Sequence, residues 1–329
     1  MAGLPPNESS TPYVQEYNLT LNQQLGVNWG LQIAYVGSVS RKFYFLRDQN
    51  SPVYAPGASI STAGLNARRP YEPTPTSYVF GQIGELDPGA NASYNALQAT
   101  LTRRFAKGFS VLASYVWSKT MDFVSADPGS AAALQLVDEN NIGRDYGLSS
   151  LDVPQRFVAS YLWAAPSITR WGILGKDVLS GWQLNGITTL QSGSPFNVTS
   201  GVDSNRDGNN NDRPNVVGNP ILSGNRSRGA KIQEFFNTSV FAQVPADVPY
   251  GNVRRNLLIG PGYVDTDFSA FKSFPMWRQS SLQFRGEIFN VFNNVNLNNP
   301  IGVLTSPKFG QITGSGAPRV VQFALRYMF

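Results

Sequence analysis

Hydrophobic and polar residues alternate one by one along nine stretches of the chain, near residues 12–25, 30–46, 93–105, 108–121, 154–165, 181–195, 263–274, 281–292 and 318–329. A period of two sends successive side chains to opposite faces of a β-strand. Between 109 and 118, Phe109, Val111, Ala113, Tyr115 and Trp117 share one face; Ser110, Ser114 and Ser118 share the other, with Leu112 and Val116 as exceptions. Between 281 and 289, Leu282, Phe284 and Ile288 oppose Gln283, Arg285 and Glu287. The last stretch, PRVVQFALRYMF, alternates Val321, Phe323, Leu325, Tyr327 and Phe329 with Gln322, Ala324, Arg326 and Met328. Helix-period patterns are nearly absent. The pattern predicts an all-β protein.

A strand face of Gln, Arg and Glu suits water outside a sandwich or water inside a wide barrel. The connections separate the two. Short turns (GVNW, AKG and PMWRQS) follow the first, third and seventh stretches, and a medium one, 166–180, follows the fifth. Long polar loops at about 47–92, 122–153, 196–262 and 293–317 follow the even-numbered stretches. Turns at one end and long loops at the other are the arrangement of a barrel crossing an outer membrane. With the C-terminus placed on the periplasmic side, every short turn falls there. Trp29, Trp163, Trp171, Trp182 and Trp277 fall in or beside those turns and Trp117 falls near the outer end, the positions of an interfacial aromatic girdle. Residues 19–38 and 96–118 also echo one another as strand, tight turn and strand closing on Tyr-Val-x-Ser. The expected fold is an antiparallel up-and-down transmembrane β-barrel in the cell outer membrane, its apolar face against the lipid bilayer.

Composition removes several function classes. There is no Cys and no His, so disulfides, thiolate chemistry and the usual general base and transition-metal ligand are absent. Charged residues are 14%, against about 25% in soluble domains. The net charge of +5 comes from scattered Arg and Lys, with no basic stripe for nucleic acid. No apolar stretch reaches a membrane helix, and the N-terminus reads as no signal peptide. Asp265 and Asp267 share a strand face but lie in no recognisable sugar cleft, so no enzyme activity is expected.

Two sets of residues are site candidates. DSNRDGNNNDR (203–213) begins as a calcium loop: Asp203, Asn205 and Asp207 at alternate positions, then Gly208 and Asn209. The acid expected at position twelve is replaced by Pro214, and Asp212 at position ten is the available substitute. The same residues also suit a solvated loop built on Asx-turns. Calcium is therefore the one cofactor considered. Arg104, Arg156, Arg285, Glu287 and Arg326 fall on the polar face, where they line a pathway, meet a plug or face water. The Pro-, Gly- and Asn-rich loops at 47–92 and 215–262 are the expected ligand-facing surfaces.

The terminal Phe329, with Phe323, Leu325 and Tyr327 at alternate positions, resembles the C-terminal strand signal by which bacterial outer-membrane barrels are recognised for insertion. That implies the barrel-assembly machinery as a partner. Arg255-Asn256, Gly260-Pro261-Gly262, Asp267, Lys272, Phe274, Arg285, Glu287, Phe289-Asn290 and Phe292-Asn293 resemble the closing strands of TonB-dependent outer-membrane receptors of the Oar-like group. Residues 93–119, 152–163 and 192–215 are similar to that group's barrel, so the resemblance runs from about Tyr13 to Phe329. It implies energised substrate uptake through a plugged barrel of about 22 strands. Nine strands are odd in number, whereas bacterial single-chain barrels are even. The expectation is that 1–329 is the C-terminal portion of such a barrel, partnered by a missing N-terminal barrel and plug and, through them, by the TonB system. Two alternatives remain: a self-standing small barrel acting as adhesin or pore, with a tenth strand in 235–244, and a secreted glycan-binding β-sandwich.

Overall fold

The computed structural model describes residues 2–3, 10–71, 80–125, 136–166, 168, 172, 174–277 and 280–329. Nine strands form one antiparallel meander: β1 Tyr13–Gln24, β2 Trp29–Asp48, β3 Gly84–Ala106, β4 Phe109–Asp122, β5 Gln155–Ala164, β6 Trp182–Gln191, β7 Tyr263–Pro275, β8 Ser281–Phe289 and β9 Val320–Met328. Each pairs with its neighbours in sequence, and β1 and β9 are the two edges. The nine alternating stretches thus become nine strands of a single sheet, not the two facing sheets of a sandwich. Among the described residues the sheet is open.

Turn chemistry sets the register. Lys107 and Gly108 join β3 to β4 with φ of 52° and 77°, and a two-residue hairpin loop with both φ values positive matches the twist of its strands. The first hairpin closes through Leu25 N–H to the Trp29 carbonyl at 2.9 Å, over Gly26 at φ 95°. Strand β2, 20 residues, follows its alternation closely, whereas β3, 23 residues, runs further than its alternation suggested; both are about twice what a bilayer needs. Residues 84–92, expected in a loop, are strand. The register between β2 and β3 shifts between Ser40 and Phe43 and again before Phe45, and Lys42 has φ 58°. These bulges interrupt the period of two and so hid the extension.

The register gives each face a chemistry. One face carries Leu282, Phe284 and Ile288 opposite Tyr327, Leu325 and Val321. It continues through Phe268, Ala270 and Phe274 of β7, Tyr161 and Trp163 of β5, Phe109, Val111, Tyr115 and Trp117 of β4, and Leu31, Ile33 and Tyr35 of β2. Trp29, Trp163, Trp182 and Trp277 gather at the turn end, while Trp171 lies outside the described residues. Lys272 shares this face but reaches the turn-end rim, where its Nζ donates to the Val178 carbonyl at 2.9 Å and to that of Ser180 and lies 5.8 Å from the Trp182 ring. That is a cation withdrawn from an apolar face toward a polar edge.

The hydrophobic core sits in the loops, not beneath the sheet. Phe196, Val198, Phe236, Phe241, Val253 and Leu258, all from the loop 192–262, bury together with Leu304 and Phe309 from 290–319 packed against them. The Phe236 ring meets Phe241 at 5.5 Å and Phe309 at 5.1 Å, edge-on. A smaller cluster joins Phe45 and Ala90 of the extended hairpin to Leu136 of the loop 123–154. The proposed tenth strand, 235–244, is part of this core. It holds a short turn of helix, Thr238–Val240, and a two-residue strand, Phe241–Ala242, paired with Asn215–Val216. Phe236 and Phe241 had supplied its apolar signal, and they face the loop core.

The two faces are separable by charge. Phe284→Arg is expected to destabilise the membrane-inserted protein by about 2–4 kcal/mol, while Gln283→Arg on the next residue costs little, as read by denaturant unfolding in lipid vesicles.

Candidate functional site

The polar face is the first part of the site. Register places Arg285 opposite Phe271 and Ala324, Glu287 opposite Ser269 and Gln322, Arg326 opposite Gln283, and Arg156 opposite Val116 and Gln191. All four lie on the side away from the aromatic face. Arg104 follows Arg103, which shares the apolar side with Val111, and its backbone N–H bonds the Asn28 carbonyl. These charges do not converge. The Arg285 guanidinium stacks 4.6 Å from the Phe271 ring, and Glu287 accepts from Gln322 Nε2. Among the described residues no ion pair joins any of the five. Asp265 accepts from the Tyr263 hydroxyl at 3.2 Å, and Asp267 holds the Asn290 N–H at 3.0 Å. Both act as hydrogen-bond acceptors within the framework of β7 and its neighbours.

The second part is the loop layer at the end opposite the turns, clamped by buried ion pairs between segments far apart in sequence. Arg213 Nη2 meets Asp145 Oδ1 at 2.6 Å, both nearly enclosed. The Asp145 Oδ2 accepts from Val137 N–H at 2.9 Å. Arg255 binds the Asp122 carboxylate and backbone carbonyl, and Ser125 Oγ at 2.6 Å. It ties the loop 192–262 to the end of β4. Arg69 pairs with Asp48 at 3.4 Å. Burial pulls the Arg213 guanidinium down from its usual range, opposed by Asp145.

Asparagines hold the chain reversals. Asn256, at φ 51°, donates its backbone N–H to Asn197 Oδ1 and its Nδ2 to the Leu148 carbonyl. Asn290, at φ 52°, ends β8 and donates Nδ2 to the Asn294 carbonyl at 3.0 Å. Asn tolerates this left-handed backbone better than most residues. Where Gly193 passes Gly260, a Cβ would meet the Gly260 carbonyl oxygen at 1.9 Å, so only glycine fits. A cavity of about 1160 Å³ opens where the outer ends of β3 and β4 meet this layer, lined among others by Trp117, Met121, Arg144, Tyr146 and Arg254.

Residues 203–212 pack inside the layer. Gly208, at φ 95°, makes the sharp turn. Asp203 accepts from Asp207 N–H at 3.0 Å and Gly208 N–H at 2.8 Å. Asp207 accepts from Asn209 N–H at 2.7 Å and Asn205 Nδ2 at 3.0 Å. Asp212, wholly buried, accepts from the Ser204 and Asn205 N–H groups through Oδ2. Burial pushes its carboxyl up to about 7, with Asp207 and Asp203 adding to the rise and those N–H groups opposing it. Glu139, from the loop 123–154, is pushed up to about 8, first by burial and then by Asp48 and Asp207, against the Asp48 N–H it accepts. No three acidic side chains among the described residues converge into a ready metal cage. Sequence reasoning found these loop positions, and Arg255 through the resemblance, but not the pairings of Arg213 with Asp145 and of Arg255 with Asp122, which lie 68 and 133 residues apart.

The family described as "Outer membrane beta barrel domain" matches residues 1–322. No curated protein matches significantly. Among solved structures, the outer membrane transporter YddB from Escherichia coli aligns at TM-score 0.45 and 10% identity, over 96% of this chain and 32% of its own. BauA, the ferric preacinetobactin receptor from Acinetobacter baumannii, aligns at 0.45 and 11%, over 95% and 29%. The FrpB iron transporter from Neisseria meningitidis aligns at 0.45 and 9%, over 99% and 32%. The chain spans about a third of the length of each.

Two outcomes follow from the buried charges. Arg213→Ala leaves Asp145 enclosed without its partner and is expected to cost about 3–5 kcal/mol. The loss shows as faster hydrogen exchange at the Val137 amide, and Asp145→Asn in the same chain restores part of it. Glu139 titrates higher folded than unfolded, so the folded state holds its proton to higher pH. Loop stability is therefore greatest below the unfolded value and declines as pH rises toward about 8. Glu139→Gln flattens that decline in pH-dependent exchange of the loop 123–154.

Proposed function

Since the chain belongs to the outer membrane beta barrel domain family and resides in the outer membrane, we propose that its nine strands are an arc in the wall of a TonB-dependent receptor of the Oar-like group. The receptor binds a substrate at the loop layer and passes it inward along the polar face by energised gating, without bond chemistry. The observation that carries this reading is the contrast between the two ends of the molecule's order. The outer loops are folded into a core of their own, while among the described residues both edges of the sheet are unpaired.

Backbone groups left unpaired in hydrocarbon cost several kcal/mol each. Strands β1 and β9 therefore need further strands beside them, which argues against a nine-stranded pore or adhesin standing alone. The plug and the TonB contact belong with those further strands. Resemblance to the Oar-like group supports the assignment, because its matching residues Arg255, Asn256 and Asn290 are among those that brace the loop layer. A braced layer above a wall face that carries Arg156, Arg285, Glu287 and Arg326 suits capture followed by gated entry.

Uptake profiling tests this in the strain that makes the protein, with the gene deleted or intact and TonB present or absent. Expected is a solute whose uptake falls to background when either is removed and falls no further when both are. A loss indifferent to TonB, or a general loss of small polar solutes, contradicts the reading and points to an open pore.

A further inference from the structure

The loop 203–212 has a feature that the hydrogen-bonded framework leaves over. Asp212 is completely buried, and its Oδ1 has no hydrogen-bond partner. The Ser204 Oγ beside it is likewise enclosed without one. An enclosed carboxylate oxygen facing no donor is costly unless something positive meets it. The five ion pairs among the described residues engage Asp48, Asp87, Asp122, Asp138 and Asp145. None neutralises Asp203, Asp207 or Asp212. Three acids thus lie within ten residues, two of them buried, and none is held in an ion pair among the described residues, although the Arg68 guanidinium lies near enough to feel Asp203 and Asp207 and that of Arg213 to feel Asp212.

The spacing of the oxygens suits a hard cation. Asp203, Asn205 and Asp207 stand at positions one, three and five of the loop, Gly208 turns the chain at six, and Asn209 brings a backbone carbonyl at seven. With neither His nor Cys in the chain, oxygen is the available donor chemistry, which selects Ca²⁺ over softer metals. We propose that residues 203–212 bind one Ca²⁺ through Asp203, Asn205, Asp207, the Asn209 carbonyl and Asp212, and that the ion locks three outer loops together. Asp212 takes the place of the acid normally found at position twelve. The shell is a mixed one of carboxylates, amides and a backbone carbonyl, and it closes by side-chain rotation of Asp207 and Asp212.

The locking role follows from what this loop touches. Asn205 Nδ2 donates to the Val137 carbonyl at 2.9 Å and Asn211 Nδ2 to that of Leu136 at 3.3 Å. Arg206 Nη1 reaches the Ala58 carbonyl at 2.6 Å, and Arg68 Nη2 reaches the Arg206 carbonyl at 2.5 Å. The loops 49–83 and 123–154 are therefore both fastened to it. Asn205 carries the ion's pull to the second, Arg206 to the first.

The test uses the full chain in isolated outer membranes and, purified, in detergent. Trypsin cuts after Arg206, inside the proposed site. Added CaCl₂ is expected to slow that cut by about tenfold relative to EGTA, and MgCl₂ to do so far less. Calorimetric titration of the purified wild-type chain with CaCl₂ should show one saturating site, near the ~10⁻⁴–10⁻³ M range of extracellular calcium modules. Asp212→Asn keeps an oxygen for the Ser204 and Asn205 N–H groups and should weaken binding more than about tenfold. Asp207→Asn should do the same, and Asp265→Asn on the wall should not. Absence of saturable calcium heat in the wild type overturns the proposal whatever the variants do. Equal calcium protection in Asp212→Asn and wild type overturns it as well.

Discussion

A strand in hydrocarbon has no water to bond its backbone, so each N–H and C=O must find a neighbouring strand. That requirement governs the rest of this molecule. It forces a meander in which every strand bonds the next in sequence, because tight hairpins give the nearest partner at least cost in loop entropy. It also frees the side chains from building a core between layers. One face is given to lipid, the other to water, and alternation alone encodes both.

With the wall committed in this way, apolar burial moves into the loops. The Phe236 cluster is a small globular core carried at one end of a sheet. Buried Arg–Asp clamps set the loops in place: Arg255–Asp122 ties this core's loop to the wall, Arg213–Asp145 ties it to the loop 123–154, and Arg69–Asp48 ties the loop 49–83 to the end of β2. They are buried, so breaking one is expensive although forming one contributes little net stability. Their value is geometric: they fix which loop lies on which, and so shape the cavity above β3 and β4. The loop 203–212 sits among those contacts, with the carboxylates of Asp207 and Asp212 buried in it.

The wall was legible because its information is local. Phe323, Leu325 and Tyr327 announce their face within one strand, and the register bears it out residue by residue. The extension of β3 was not legible, since the bulge between Asp87 and Ala90, opposite Phe43 and Phe45, slips its alternation by a residue. The loop core was hidden for another reason: Phe236 finds Phe309, and Arg255 finds Asp122, across chain separations that no window spans. In FFNTSVFAQV the apolar residues were visible but their destination was not, and a strand was inferred where a folded loop stands. The oxygen pattern at 203–212 could be read from spacing, whereas the burial of Asp212 required the fold.

The central claim is that one sheet separates lipid from water by alternation. The chain has no native Cys, so single cysteines at 282–288 of β8 and 321–327 of β9 can each carry a spin label in lipid vesicles. The account predicts oxygen accessibility peaking at Leu282, Phe284, Gly286 and Ile288, and at Val321, Phe323, Leu325 and Tyr327. Accessibility to a water-soluble nickel chelate should peak at the residues between, with the two strands in phase as paired. Uniform aqueous accessibility along both strands, or peaks out of phase between them, would contradict it.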